Sequence, residues 1–289
     1  MTVINTNINS LVSQNALIKN NRDLAAAMEQ LSTGKRINSA KDDAAGLAIS
    51  NKMTAQIRGL NQAVRNANDG ISMIQTAEGG SVEVTNMLQR MRELAVQAAN
   101  GTNSSTNKAS LQYEFAQLQK EIQRISSSTE WNGVKIIGPS ADVVKFQVGA
   151  NSGQVISVSF KNIAAGLTAV RNAVSATLPV LSTNGATITP GTGLSVGSTQ
   201  LISKVDLAIS AIDNFRSDLG AKINRLTYAA DNLTNVSQNT SASRSRILDA
   251  DYARASSELS RTQIIQQAAT AVLAQANASQ QTVLKLLQG

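Results

Sequence analysis

The chain has 289 residues, 26 Lys and Arg against 19 Asp and Glu for a net charge of +7, and neither histidine nor cysteine. Those two absences exclude thiolate nucleophiles, disulfides, His-dependent acid–base catalysis and most zinc or copper sites. With 3% aromatic residues and three prolines, a large aromatic-packed core is not expected, and an apolar fraction rich in Ala favours thin helices in close approach.

The basic balance would ordinarily invite nucleic acid, but Lys and Arg are scattered and aromatics able to stack on bases are nearly absent, so no nucleic acid partner is expected. Met1 to Ser10 lacks a charged n-region and an apolar h-region. No cleaved secretory signal is therefore expected, and no run is long enough to suggest a membrane partner. An extracellular destination would then require a dedicated, non-cleaving exporter.

From the N-terminus, Ile4, Ile8 and Leu11, then Leu17, Leu24, Met28 and Leu31 after a register break, form a helical apolar stripe that Gly34 ends. Ser39 followed by Asp42 has capping-box spacing and predicts the start of the next helix. Ile57, Leu60, Val64, Ala67, Ile71 and Ile74 alternate steps of three and four, a heptad seam. After Ala77 it resumes as Val84, Leu88, Met91, Ala95 and Ala98. One helix spanning on the order of 60 Å follows, stopped by Asn100-Gly101.

Leu111, Phe115, Leu118, Ile122 and Ile125 form a second seam that turns back on the first, and Trp131-Asn132-Gly133 is expected to end it. Arg90, Leu94 and Glu114 sit outside or at the edge of these seams, where the plain expectation is a solvated helix face. Beyond Gly133 the pattern changes. Val134 to Ile137, Val144/Phe146/Val148 and Ile156/Val158/Phe160 are β-branched with period two, and Asn151-Ser152-Gly153 is a turn, predicting a small β-hairpin region. Residues 161–200 carry no sustained period and read as loop or a small appendage.

Helix returns with Ile202, Val205, Ile209, Ile212, Leu219, Ile223, Leu226, Ala230 and Leu233, interrupted only where Arg216 takes a seam position. The C-terminal stripe comprises Ile265, Ala269, Val272, Ala276, Val283 and Leu286, flanked by Ile264, Leu273, Leu284 and Leu287. That face is too wide for one partner, and isolated helices at either end would be marginal in water. Each is expected to need the other and further copies of the chain. Asp42-Asp43 and Asp249/Asp251 read as a helix start and a helix junction, not as metal or acid–base sites.

The fold class expected is mainly α: long coiled-coil helices from the N- and C-terminal halves packed together, with a small β-hairpin region in the middle. The chain folds back on itself with both ends together.

Several blocks resemble bacterial flagellin. They are Ile4-Asn5-Thr6-Asn7, the run from Leu31 through Ser-Thr-Gly-Lys-Arg-Ile-Asn to Ser50, and Leu88-Gln-Arg-Met-Arg-Glu-Leu-Ala-Val-Gln97. The second half adds Leu219-Gly-Ala-Lys-Ile-Asn-Arg225, Ser245-Arg-Ile-Leu-Asp-Ala-Asp-Tyr-Ala253 and the run Gln266 to Asn277. Lys222, where the family favours glutamine, and the final Leu-Leu-Gln-Gly depart from the pattern.

The resemblance implies a short flagellin. Residues 1–40 and 251–289 would be the terminal helices of the filament's inner core, with Ile4, Ile8, Leu11, Ile265, Val272, Val283 and Leu286 packing it. Residues 41–250 would be a helical rod domain with β-hairpins, including the short variable region 161–200. It further implies a structural subunit of the bacterial flagellar filament, not an enzyme and without cofactors, exported unfolded to the cell exterior for motility. Its partners would be other copies of itself, the flagellar type III export apparatus with an export chaperone, and the filament cap and junction proteins. A hook–filament junction protein is the alternative within the class. Gln89, Arg90, Glu93, Leu94 and Glu114 match the surface by which family members contact the next subunit and by which the flagellin-sensing Toll-like receptor of hosts binds the monomer.

Overall fold

The computed structural model describes residues 7–138, 143–160 and 199–288, with side chains of 199–200 and 279–288 left aside. Ile4 and residues 161–198 therefore lie outside the described residues, as do the side chains of Val283 and Leu286. In chain order the elements are α1 (Ile8–Thr33), α2 (Ala44–Ala99), α3 (Ser105–Ser128), β1 (Glu130–Trp131), β2 (Val134–Lys135), β3 (Val143–Gln147), β4 (Val155–Ser159), α4 (Thr199–Leu248) and α5 (Tyr252–Gln288). The fold is mainly α with two small antiparallel hairpins, as the periodicity predicts. It divides into two compact units, Gly59–Val236 and Met1–Arg58 with Ser237–Gly289.

In the central unit, the heptad residues of α2 meet those of α3 and α4. Ala67, Ile74, Ala77, Val84, Leu88, Met91, Ala95 and Ala98 are buried, together with Phe115, Ile122, Leu201, Val205, Phe215 and Leu219. Ser104 caps α3, its side chain accepting from Asn107 N. Arg216, expected on the α4 seam, is half-buried with its guanidinium 3.8 Å from Glu78, and its Nε is buried without a hydrogen-bond partner.

The Trp131-Asn132-Gly133 segment differs from expectation. α3 ends at Ser128, where Thr129 N donates to Ile125 O. Asn132 and Gly133 have φ of 49° and 78°, so they form a tight two-residue turn with both central residues left-handed, which Asn-Gly accommodates well. Trp131 thereby pairs with Val134 as a strand residue. In the second hairpin Val144 pairs with Val158 and Phe146 with Ile156. Ile156, Val158 and Phe160 are buried in the same core as the helices. The close seat on α2 depends on Gly70, where an added Cβ would lie 3.1 Å from the Phe146 ring. Asn66 Nδ2 donates to Gln147 O at 3.1 Å beside it.

In the terminal unit α1 packs on α5. Asn7 caps α1 by accepting from Ser10 N, and Gly34, with φ of 68°, closes it by donating to Gln30 O. The expected capping box at Ser39 and Asp42 is instead a self-contained turn, Asp42 Oδ2 accepting from Ser39 N and Oγ. The cap of α2 is Asp43, whose Oδ1 accepts from Gly46 N at 2.8 Å. Capping geometry requires the residue immediately before the first helical turn, and α2 begins at Ala44.

The links leaving α1 and entering α5 are joined by main-chain bonds. Arg36 N donates to Leu248 O at 2.7 Å and Ala250 N to Gly34 O at 2.9 Å. The Arg36 guanidinium reaches Ile247 O, and the Tyr252 hydroxyl donates to Leu31 O at 3.0 Å. Asp251 opens α5 by accepting from Ala253 N and Arg254 N, and Asp249 accepts from Ser245. Both carboxylates are thus occupied at the helix junction.

Candidate functional site

The chemistry here is that of surfaces, and the first is the outside of the α1/α5 pair. The positions of α1 that face α5 are Ser10, Ser13, Leu17, Asn20, Leu24, Ala27 and Leu31, with Ser10, Asn20 and Ala27 buried and the rest half-buried. Along α5 the matching set is Ala255, Leu259, Thr262, Gln266, Ala269, Leu273 and Ala276. Both alternate steps of three and four, a coiled-coil seam. Its middle layer is polar. Asn20 is 6% exposed and Thr262 2% exposed, and Asn20 Nδ2 donates to Thr262 O at 2.8 Å. Gln266 Nε2 donates to Asn21 Oδ1 at 3.1 Å, and Asn7 Nδ2 to Ala276 O at 3.0 Å.

Five leucines share the seam, half-buried, and a second set of large apolar residues lies outside it. Ile8, Leu11, Val12 and Ile18 on α1 are exposed, as are Ile264, Ile265 and Val272 on α5. At about 100° per residue the α1 four lie on the side opposite the seam. This corrects the expected C-terminal stripe: Ala269 and Ala276 belong to the inner seam, whereas Ile265 and Val272 flank it in solvent. The signal for the inner seam was in the sequence, as leucines seven residues apart at 17, 24 and 31 interleaved with Ser, Asn and Ala. The stripe expected for α1 already holds those three leucines; what apolar spacing alone does not mark is the half of the seam that is polar or small.

The second surface lies on α2 and α3. Arg90 is half-exposed, its Nε donating to Glu114 Oε1 at 2.9 Å and its Nη1 to Glu93 Oε2 at 3.0 Å. Donating to the Glu93 carboxylate, and next to that of Glu114, holds the guanidinium pKa above its usual range. Gln89 is exposed beside them. Leu94 does not join this group. It is 0% exposed, a core residue and not one at a seam's edge. α2 is covered on two sides, by α3 through Arg90–Glu114 and by α4 through Arg92–Asp206 at 2.6 Å. Its buried arc is wider than a single seam.

Family models agree with both halves of this geometry. The bacterial flagellin N-terminal helical region matches residues 4–141, and the C-terminal helical region matches residues 202–287. The flagellin of Halalkalibacterium halodurans is 45% identical over 99% of this chain and 100% of its own length. A flagellin of Xenorhabdus nematophila is 45% identical over 99% of each chain. The crystal structure of Bacillus cereus flagellin, 30% identical, covers 62% of this chain and 94% of that one with a TM-score of 0.47. Matched through both helical regions and over nearly its full length by such relatives, the chain belongs to the bacterial flagellin family.

Proposed function

We propose that this flagellin is a structural subunit, not an enzyme, that polymerises with copies of itself into the extracellular filament of the bacterial flagellum. One observation carries the reading: beyond the leucines of the seam, α1 and α5 each keep a second set of large apolar residues exposed on the side away from the helix they already pack on. Burying a Leu, Ile or Val side chain contributes about 1.5–3 kcal/mol, so Ile8, Leu11, Ile265 and Val272 together form a strong surface for further copies. A contact between two different faces of identical subunits need not close and so propagates as a helical polymer. Residues 1–40 and 251–289 would form its inner core, and 41–250 a rod domain with β-hairpins.

Electron microscopy and sedimentation after salting-out test this. Wild-type chain is expected to form filaments, and Leu11→Asp or Val272→Asp to leave soluble protein with an unchanged central unit, because a charge would be buried unpaired. Normal filaments from both variants would refute it.

Passage through a type III export apparatus with an export chaperone, and contacts with cap and junction proteins, follow from the same assignment. The surface of Gln89, Arg90, Glu93 and Glu114 serves as the monomer's contact for the flagellin-sensing Toll-like receptor, with Leu94 supporting it from beneath. Arg suits this role because its planar guanidinium can exchange the Glu93 and Glu114 bonds for directed bonds to a partner. In a reporter-cell assay Arg90→Ala is expected to signal weakly at equal monomer concentration. Potency equal to wild type would remove the receptor assignment while leaving the filament intact.

A further inference from the structure

The α1/α5 seam does not select the register in which it is found. Starting from the Asn20–Thr262 contact and stepping by antiparallel heptad positions, Leu24 faces Leu259, Leu17 faces Gln266, Ser13 faces Ala269 and Ser10 faces Leu273. Leucine meets leucine in one of these layers. If α1 slid one heptad away from the joint between the helix links, Leu31 would face Leu259 and Leu17 would face Leu273, two such layers. The polar contacts do not oppose the slide. Asn20 donates to a main-chain carbonyl, which any heptad position of α5 offers, and the Thr262 hydroxyl bonds within its own helix. Gln266 faces a leucine in either register, and its bond to Asn21 is exposed.

The joint is different, because its bonds tie particular residues together. Ala250 N donates to Gly34 O at 2.9 Å and the Tyr252 hydroxyl to Leu31 O at 3.0 Å, which fastens the start of α5 to the end of α1. Arg36 N donates to Leu248 O at 2.7 Å and the Arg36 guanidinium to Ile247 O at 2.6 Å, which fastens the same link to the end of α4. Ile37, 2% exposed, sits against Gly46 in the first turn of α2. A slide of one heptad would separate the Gly34 and Leu31 carbonyls from their donors by about 10 Å.

We propose that this joint, and not the seam, fixes the register of the α1/α5 pair, holding it against a one-heptad slide that the leucines favour. It thereby sets how Ile8 and Leu11 align with Ile265 and Val272 in the outward apolar surface that a second copy meets. That consequence rests on the polymer reading above.

The absence of cysteine makes crosslinking a clean test. Ser13→Cys with Ala269→Cys reports the observed register. Ser13→Cys with Ala276→Cys reports the shifted one, since in the observed register those two positions are offset by about 10 Å along the axis, beyond disulfide reach. Each pair is placed in the otherwise native chain and in two altered joints. In the first, Gly-Ser-Gly is inserted between Gly34 and Lys35. Three extended residues add about 10 Å, so the joint can re-form on them while α1 is free to slide one heptad. In the second, Ala250→Pro/Tyr252→Phe removes both donors to the end of α1 and adds no length. The native chain is expected to crosslink only through the first pair. The insertion should raise the shifted crosslink at least about tenfold, the population change that burying one further leucine implies. The double substitution should fall between.

An insertion variant that crosslinks only in the observed register would overturn the proposal and return the register to the seam. A native chain that crosslinks in the shifted register, or in neither, would overturn it too. Neither crosslink forming in the insertion variant also counts against it, because the seam would then favour no register for the joint to oppose. A double variant indistinguishable from the native chain would assign the restraint to the length of the link and overturn the role of the bonds. Normal filaments from a shifted variant would overturn the consequence for assembly. Failure of the native chain to polymerise would remove only the filament reading, since the crosslinks are scored without it.

Discussion

The two units use the same heptad spacing with opposite chemistry. In Gly59–Val236 the seam positions are Leu88, Met91, Phe115, Ile122 and Leu219, all buried, so the large apolar side chains are consumed inside one chain. In the terminal unit the seam mixes Ser10, Asn20, Ala27, Ala255 and Thr262 with the half-buried Leu17, Leu24, Leu31, Leu259 and Leu273, while Ile8, Leu11, Ile18, Ile265 and Val272 stay in solvent. The first arrangement satisfies its large apolar residues within one chain. The second leaves burial unfinished and the chain's ends dependent on neighbours. The comparison shows that heptad periodicity tells where a helix packs, and side-chain size tells whether the contact is satisfied within the chain or kept for a partner.

Truncation at matched sites should break this comparison if it is wrong. Leu94→Ala, inside the central core, is expected to lower unfolding stability by about 2–5 kcal/mol, read by denaturant melts of the monomer. Leu11→Ala, on the outer face of α1, should change monomer stability by less than about 0.5 kcal/mol while raising the concentration needed for polymerisation. Equal losses of monomer stability would show that Leu11 is packed within the chain.

A smaller effect tests how the β3/β4 hairpin is seated. Gly70→Ala places a Cβ 3.1 Å from the Phe146 ring, so the hairpin must shift, at a cost of about 1–3 kcal/mol. Faster hydrogen exchange along Val143–Gln147 with α2 unchanged is the expected result. Unchanged exchange would mean that the ring moves aside freely.

Smaller still is the contribution of the Arg90 ion pairs to the fold. Both partners are half-exposed, so Arg90→Ala should change the central unit's stability by no more than about 1 kcal/mol. A large drop would make Arg90 a folding residue and weaken its assignment to a recognition surface.

The least effect comes from pH. Hydrogen bonding from the Ser39 backbone, with further help from its side chain, holds the Asp42 carboxyl below its ordinary 3.8. Because the folded pKa is depressed, its stabilisation is fully present above the ordinary value and is lost as pH falls through the folded value. Protection of the Ser39 and Asn38 amides, with exchange corrected for its own base catalysis, should therefore hold from neutral pH down to the ordinary carboxyl value and fall only below it. Loss of protection at about pH 5–6 would contradict the turn.

The class and most of the central unit were legible along the chain. The seams of α2, α3 and α4 consist of large apolar residues at strict spacing, and such residues in water have no stable alternative to burial. Asn151-Ser152-Gly153 and the flanking alternation were equally plain for β3 and β4. The flagellin blocks, too, were legible by eye. Elsewhere the outcome depended on packing in space. α1 and α5 each carry two stripes of the same period, one mixing leucines with small and polar residues and one of large apolar residues, and period cannot choose between stripes that share it. The choice fell to close approach, which Ala and Ser permit, and to the Asn20–Thr262 bond. Leu94 was misplaced at a seam's edge because the width of a buried arc depends on how many helices cover it, and that number is fixed in space, not along the chain.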